Sequence, residues 1–123
     1  MLLNNAPFCT TPPLVTVSTT PTSLWPPNGK MVPVVVSGTI TDPGCTVTTA
    51  AYAVTDEYGE VQPNGPLTLG PGDVYSFTVF LEASRRGSDI DGRLYTVTVS
   101  AKNNAGITGS KASAVIVPHD QRH

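Results

Sequence analysis

From Leu14 onward the apolar residues of this chain recur at every second position, and no stretch sustains the 3.6-residue spacing of an amphipathic helix. Successive side chains of a strand point to opposite faces, so this spacing calls for half-buried β-strands. Gly and Pro, 11 and 12 of the 123 residues, cut the pattern into short runs. Such punctuation suits the turns between strands. The expected fold class is all-β, in one domain over 14–117. An extended, Pro-containing lead-in covers 1–13, and a tail or linker covers 118–123.

The runs assign strands and inward faces. Val15 and Val17 belong to a short first strand, and Val34, Val36, Gly38 and Ile40 to a second that Asp42-Pro43-Gly44 ends. Pro33 belongs at the start of that strand, because it has no N–H for a ladder. A third strand runs from Val47 to about Thr55 with Ala50, Tyr52 and Val54 inward, and Leu67 and Leu69 mark a short fourth. Tyr75, Phe77, Val79 and Leu81 face inward in the fifth, with Phe80 an apolar exception outward. Tyr95, Val97, Val99 and Ala101 do so in the sixth. The seventh, about Lys111 to Val117, leaves two faces open, Val115/Val117 or Ala114/Ile116. About seven antiparallel strands in this length predict an immunoglobulin-like β-sandwich of Greek-key connection, without the antibody Cys…Trp…Cys signature.

Composition narrows function. Only 13% of residues are charged, the net charge is −2 and the pI about 5.5. Without a basic excess or a basic stripe, no nucleic-acid partner is expected. No run approaches the ~20 apolar residues of a membrane-spanning helix, so no membrane insertion is expected. Met1-Leu2-Leu3 runs straight into Asn4-Asn5, which is no intact secretory signal; the chain reads as a mature form or a piece of a longer protein.

Four segments resemble bacterial extracellular Ig-like modules of the HYR-type and other Big-type repeats: LWPPNGKMVPV (Leu24–Val34), VTDEYG (Val54–Gly59), DGRLYTVTVSAKNNAG (Asp91–Gly106) and VPHDQ (Val117–Gln121). The resemblance covers about Pro13 to Gln121. It implies a non-catalytic module of secreted or surface-anchored proteins, hence an extracellular location. Lys102-Asn103-Asn104 stands where such modules often carry Thr-Asp-Asn, which removes a carboxylate, and Gly29 stands where His is frequent.

No catalytic constellation is visible. His119 and His123 fall in the tail, read as solvated, and no nucleophile elbow, phosphate loop or metalloprotease helix occurs. The chain is therefore expected not to be an enzyme and to require no cofactor. Cys9 and Cys45, without C-x-x-C spacing, lie at one pole of an alternating sandwich and are expected to form a disulfide; the alternative is two buried thiols. Tyr95 fits a tyrosine corner, its hydroxyl bonding backbone a few residues upstream. Trp25 reads as a cover for the sandwich edge, clustered with Leu24 and Met31. Alternatively it is an exposed platform for a carbohydrate or peptide ligand. Arg85-Arg86 reads as solvated charge, with contact to an anion or glycan the alternative.

Asp56, Glu57, Asp89, Asp91 and Asp120 all fall at the C-terminal pole and are the candidate ligands of a weak calcium (Ca2+) site, in the extracellular-module range of roughly 10⁻⁴ to 10⁻³ M. Solvated turn residues are the alternative. The expected function is a structural or adhesion module, a rigid spacer or assembly unit whose partners are neighbouring modules of the same or another chain. The second reading is a ligand-binding module in which Trp25 and loop residues hold a glycan or surface protein.

Overall fold

A computed structural model of the chain describes residues 9–119. Among them eight strand segments follow one another: β1 (Leu14–Val15), β2 (Ser18–Thr20), β3 (Met31–Thr41), β4 (Val47–Asp56), β5 (Asn64–Pro66), β6 (Val74–Glu82), β7 (Arg93–Asn103) and β8 (Thr108–Val117). All pairings between them are antiparallel and form two sheets. In the first, β3 is central; β2 and β6 both pair with residues 35–37 and so hold its opposite edges, while β1 pairs with its last turn-ward residues. The second has the order β5-β4-β7-β8. The protein is a β-sandwich.

The alternation places the core between the sheets. Val34, Val36 and Ile40 of β3 and Tyr75, Val79 and Leu81 of β6 meet Val54 of β4 and Tyr95, Val97, Val99 and Ala101 of β7. On β8 the open choice resolves to Val115 and Val117, both 0% exposed. Tyr52 and Phe77 complete the interior with stacked rings 4.3 Å apart. Phe80 faces outward, opposite Pro33, which is the third residue of β3 and lies near its start, as its missing N–H requires.

Two strands differ from expectation. The first is split into β1 and β2 at Thr16-Val17, although Val15, Val17 and the buried Thr19 keep one inward face. The cause is a close backbone approach: a Cβ on Gly38 would lie 2.1 Å from the Thr16 carbonyl oxygen. Thr16 Oγ1 accepts from Thr39 N at 2.8 Å, and the Tyr75 hydroxyl donates to Thr16 O at 2.6 Å. Gly38→Ala is therefore expected to cost about 1–3 kcal/mol by overpacking, read from the urea midpoint. An unchanged midpoint would rule out so close an approach. The fourth strand lies upstream of Leu67 and Leu69, at Asn64–Pro66. Leu67 still donates its N–H to Ala50 O at 3.0 Å, and both leucines pack on the core, so their spacing reports burial and not ladder pairing.

The described ends leave the sandwich at opposite poles. Leu14 pairs with Thr41 at the end of β3, whereas Val117 pairs with Arg93 at the start of β7. We call these the entry and exit poles.

Candidate functional site

The parity that buries Tyr95, Val97, Val99 and Ala101 runs to both ends of β7, where it buries Arg93 and Asn103 at 1% exposure each. A buried guanidinium needs acceptors. At the exit pole β4 supplies the main one, because Asp56 shares the inward parity of Val54 and stands opposite Tyr95. Arg93 Nη2 lies 2.9 Å from Asp56 Oδ2 and 2.8 Å from Glu60 Oε1, while Nη1 donates to Ser84 Oγ at 3.0 Å and lies 3.7 Å from Glu82 Oε1. Tyr58 and Tyr95 flank the guanidinium, each ring centre 4.7 Å from it. Arg86 takes a further place against Tyr58, at 4.2 Å. Arg85 donates to the His119 carbonyl at 2.6 Å. Of the arginine doublet expected in solvent, Arg86 is exposed and Arg85 half-buried, and both line this pole, as does His119, whose Nε2 lies 3.1 Å from Gly87 O. His123 lies outside the described residues.

Burial pushes the Asp56 carboxyl up, but hydrogen bonds from Arg93, Tyr58 N and Gln62 outweigh it and hold its pKa below the ordinary 3.8. A carboxylate depressed in the folded state stabilises the fold above its unfolded pKa and loses that contribution as pH falls through the folded one. Melting temperature is therefore expected to fall from about pH 4 downward, and less steeply in Asp56→Asn. Parallel melting curves in the two proteins would sink this assignment. Burial also pushes the Tyr95 hydroxyl up to about 12 against the opposing field of Arg93.

That hydroxyl donates to Glu82 O at 2.7 Å, 13 residues upstream. The bond joins β7 to the end of β6 in the facing sheet, instead of closing a corner a few residues back. The acidic residues do not converge as expected of a calcium site. Asp56 is occupied by Arg93, Gln62 and Tyr58; Glu57 Oε1 accepts from Leu94 N, and Asp89 Oδ2 from the Tyr58 hydroxyl. Among the described residues no three of Asp56, Glu57, Asp89 and Asp91 bring an oxygen within 4.8 Å of one another. Asp120 lies outside those residues.

At the entry pole Asn103 is the counterpart of Arg93. Its amide donates to Asp42 Oδ2 and to Thr11 O, both at 3.0 Å, and its Oδ1 accepts from Ala105 N at 2.9 Å and Ile107 N at 3.0 Å. Cys9 and Cys45 are bonded beside it, their Cα atoms 5.1 Å apart. Trp25 retains 38% exposure, and Met31, expected to pack with it, retains 58%. Leu24 alone of that group is buried, fixed where its N–H donates to Ile116 O at 2.8 Å. An open cavity of about 230 Å³ between β4 and Leu67–Leu69 carries no charged side chain. Sequence reasoning missed Arg93, Asn103 and Asp42, although each continues the inward parity of its strand; that parity, extended to the polar residues at strand ends, was the available signal.

As chemistry, both constellations hold elements together: every carboxylate beside Arg93 neutralises its charge, and the Asn103 amide is spent on four partners. No family model matches the chain, and no curated protein matches it. Among solved structures it is similar to a Bordetella pertussis protein described as ApaA, with 19% identity over 89% of this chain and 98% of that one, at a TM-score of 0.46. A likeness of that degree carries no argument about function.

Proposed function

We propose that this chain is a non-catalytic extracellular module that acts as a rigid spacer or assembly unit between neighbouring modules. The observation that carries this reading is the exit of the described ends at opposite poles, each pinned: Cys9 by its bond to Cys45, and His119 by Arg85. Between them the 11-residue β7 spans about 35 Å at the usual rise per residue. Copies joined in sequence then extend along one axis. The disulfide agrees with an oxidising, extracytoplasmic compartment, and no helix among the described residues is long and apolar enough to cross a membrane.

Small-angle scattering on two copies joined in sequence is expected to give a maximum dimension near twice that of one. A compact pair lying side by side would refute the spacer reading. The ligand-binding reading rests on the exposed part of the Trp25 ring. It predicts quenching or a shift of the single tryptophan's fluorescence on titration with oligosaccharides, whereas the spacer reading predicts none.

A further inference from the structure

We propose that reduction of the Cys9–Cys45 bond opens a metal site, in which the two sulfurs and the Asp42 carboxylate bind a thiophilic divalent cation, zinc in the first instance. Among the described residues these three form the one group of His, Cys, Asp or Glu side chains whose ligand atoms all lie within 4.8 Å of one another. Asp42 is only 9% exposed, and its Oδ1 is enclosed without any hydrogen-bond donor. An enclosed carboxylate oxygen without a donor is unfavourable, and a cation at that oxygen removes the deficit.

The supports are already in place. Asp42 and Cys45 bracket the Pro43-Gly44 turn, which is closed by Cys45 N donating to Asp42 O at 2.9 Å and by Gly44 at φ +79°. Cys9 is delivered by the lead-in that Asn103 holds at Thr11 O, and the same amide orients the other Asp42 oxygen. An orienting partner behind a ligand is what metal sites use. Zinc at about 2.3 Å from sulfur and about 2.0–2.2 Å from oxygen sets tetrahedral ligand atoms roughly 3.5–3.8 Å apart, so the two sulfurs, bonded to each other when oxidised, must part to that distance beside the Asp42 carboxylate once reduced. The adjoining cavity of about 240 Å³, lined by Asp42, Cys45 and Asp73 among others, leaves room for water as the fourth ligand.

The chemistry balances with an external phosphine reductant. It gives two electrons to the S–S bond and takes oxygen from water, whose two protons make both sulfurs thiols. Zinc then displaces those protons to the buffer. Oxidised, the sulfurs offer no thiolate, so occupancy follows redox state.

The test uses the full chain, oxidised or reduced with a phosphine, and cobalt(II) as a coloured substitute for zinc. Reduced chain is expected to bind one cobalt with thiolate-to-metal charge-transfer absorption that zinc abolishes, and oxidised chain to show none. Zinc is expected to raise the melting temperature of the reduced chain only. Asp42→Ala is expected to weaken cobalt binding at least about tenfold; Asp42→Asn, which keeps the shape beside Asn103, supplies the same reading if the alanine variant does not fold. Absence of the charge-transfer band, undiminished affinity in the Asp42 variants, or a reduced chain that zinc neither stabilises nor refolds would each overturn the site.

Discussion

Replacing Arg93 by methionine is expected to destabilise the protein by about 3–5 kcal/mol, because removing one member of a buried ion pair leaves the other charge without compensation. The side chains of Arg93 and Asp56 are 2% and 0% exposed, so Asp56 cannot recover water without opening the exit pole. Glu60 and Glu82 differ: at 55% and 44% exposure they remain hydrated, and neutralising either is expected to cost under about 1 kcal/mol. Methionine keeps much of the volume between Tyr58 and Tyr95, which separates loss of charge from loss of packing. The double variant Asp56→Leu/Arg93→Met is expected to be more stable than Arg93→Met alone, since it removes the stranded carboxylate. Urea unfolding of the parent, Arg93→Met and the double variant decides the matter. An Arg93→Met variant within about 1 kcal/mol of the parent would mean that water already reaches Asp56.

Loss of the Cys9–Cys45 crosslink is the second large effect. The two residues are 36 apart in sequence, and closing a loop of that size removes chain entropy from the unfolded state equivalent to about 4 kcal/mol. The Cys9→Ser/Cys45→Ser variant is expected to lose about that amount. The bridge also holds the lead-in where Pro13 crosses Gly109, a passage so close that a Cβ on that glycine would meet Pro13 O at 2.2 Å. Hydrogen exchange at the entry pole is therefore expected to rise more than at the exit pole. A uniform rise would show that the bridge acts on the unfolded chain alone.

The sheet faces were legible because each is encoded locally. Val34, Val36 and Ile40, then Tyr75, Val79 and Leu81, and then Tyr95, Val97 and Val99 are all inward as their spacing predicts. Pairing was less legible, since it depends on backbone positions that alternation does not report. The break at Thr16 follows from its approach to Gly38, far away in sequence, and Leu67 is half-buried beside Ala50 without belonging to a regular ladder. The polar poles were hidden by an assumption about residue type. Acidity and a strand-end position point Asp56 toward a turn or a metal, yet it continues Val54's face, and Arg93 continues that of Tyr95. The Cys9–Cys45 contact was accessible because strand direction alone places both residues at one pole.

The two buried polar ends of β7 also act as a ruler against slippage. Its middle, Thr96-Val97-Thr98-Val99-Ser100-Ala101, repeats so regularly that sliding it by two residues along β4 and β8 keeps every apolar side chain inward. Alternation rejects a one-residue slide, but it is blind to a two-residue one. A displacement of two residues, roughly 7 Å, is not blind at the ends. It withdraws one terminal side chain from its aspartate and drives the other beneath apolar neighbours, so Arg93 leaves Asp56 at the same moment that Asn103 leaves Asp42. The misaligned sheet thus loses a buried ion pair and a fully bonded amide together, and one alignment of an otherwise degenerate strand is singled out.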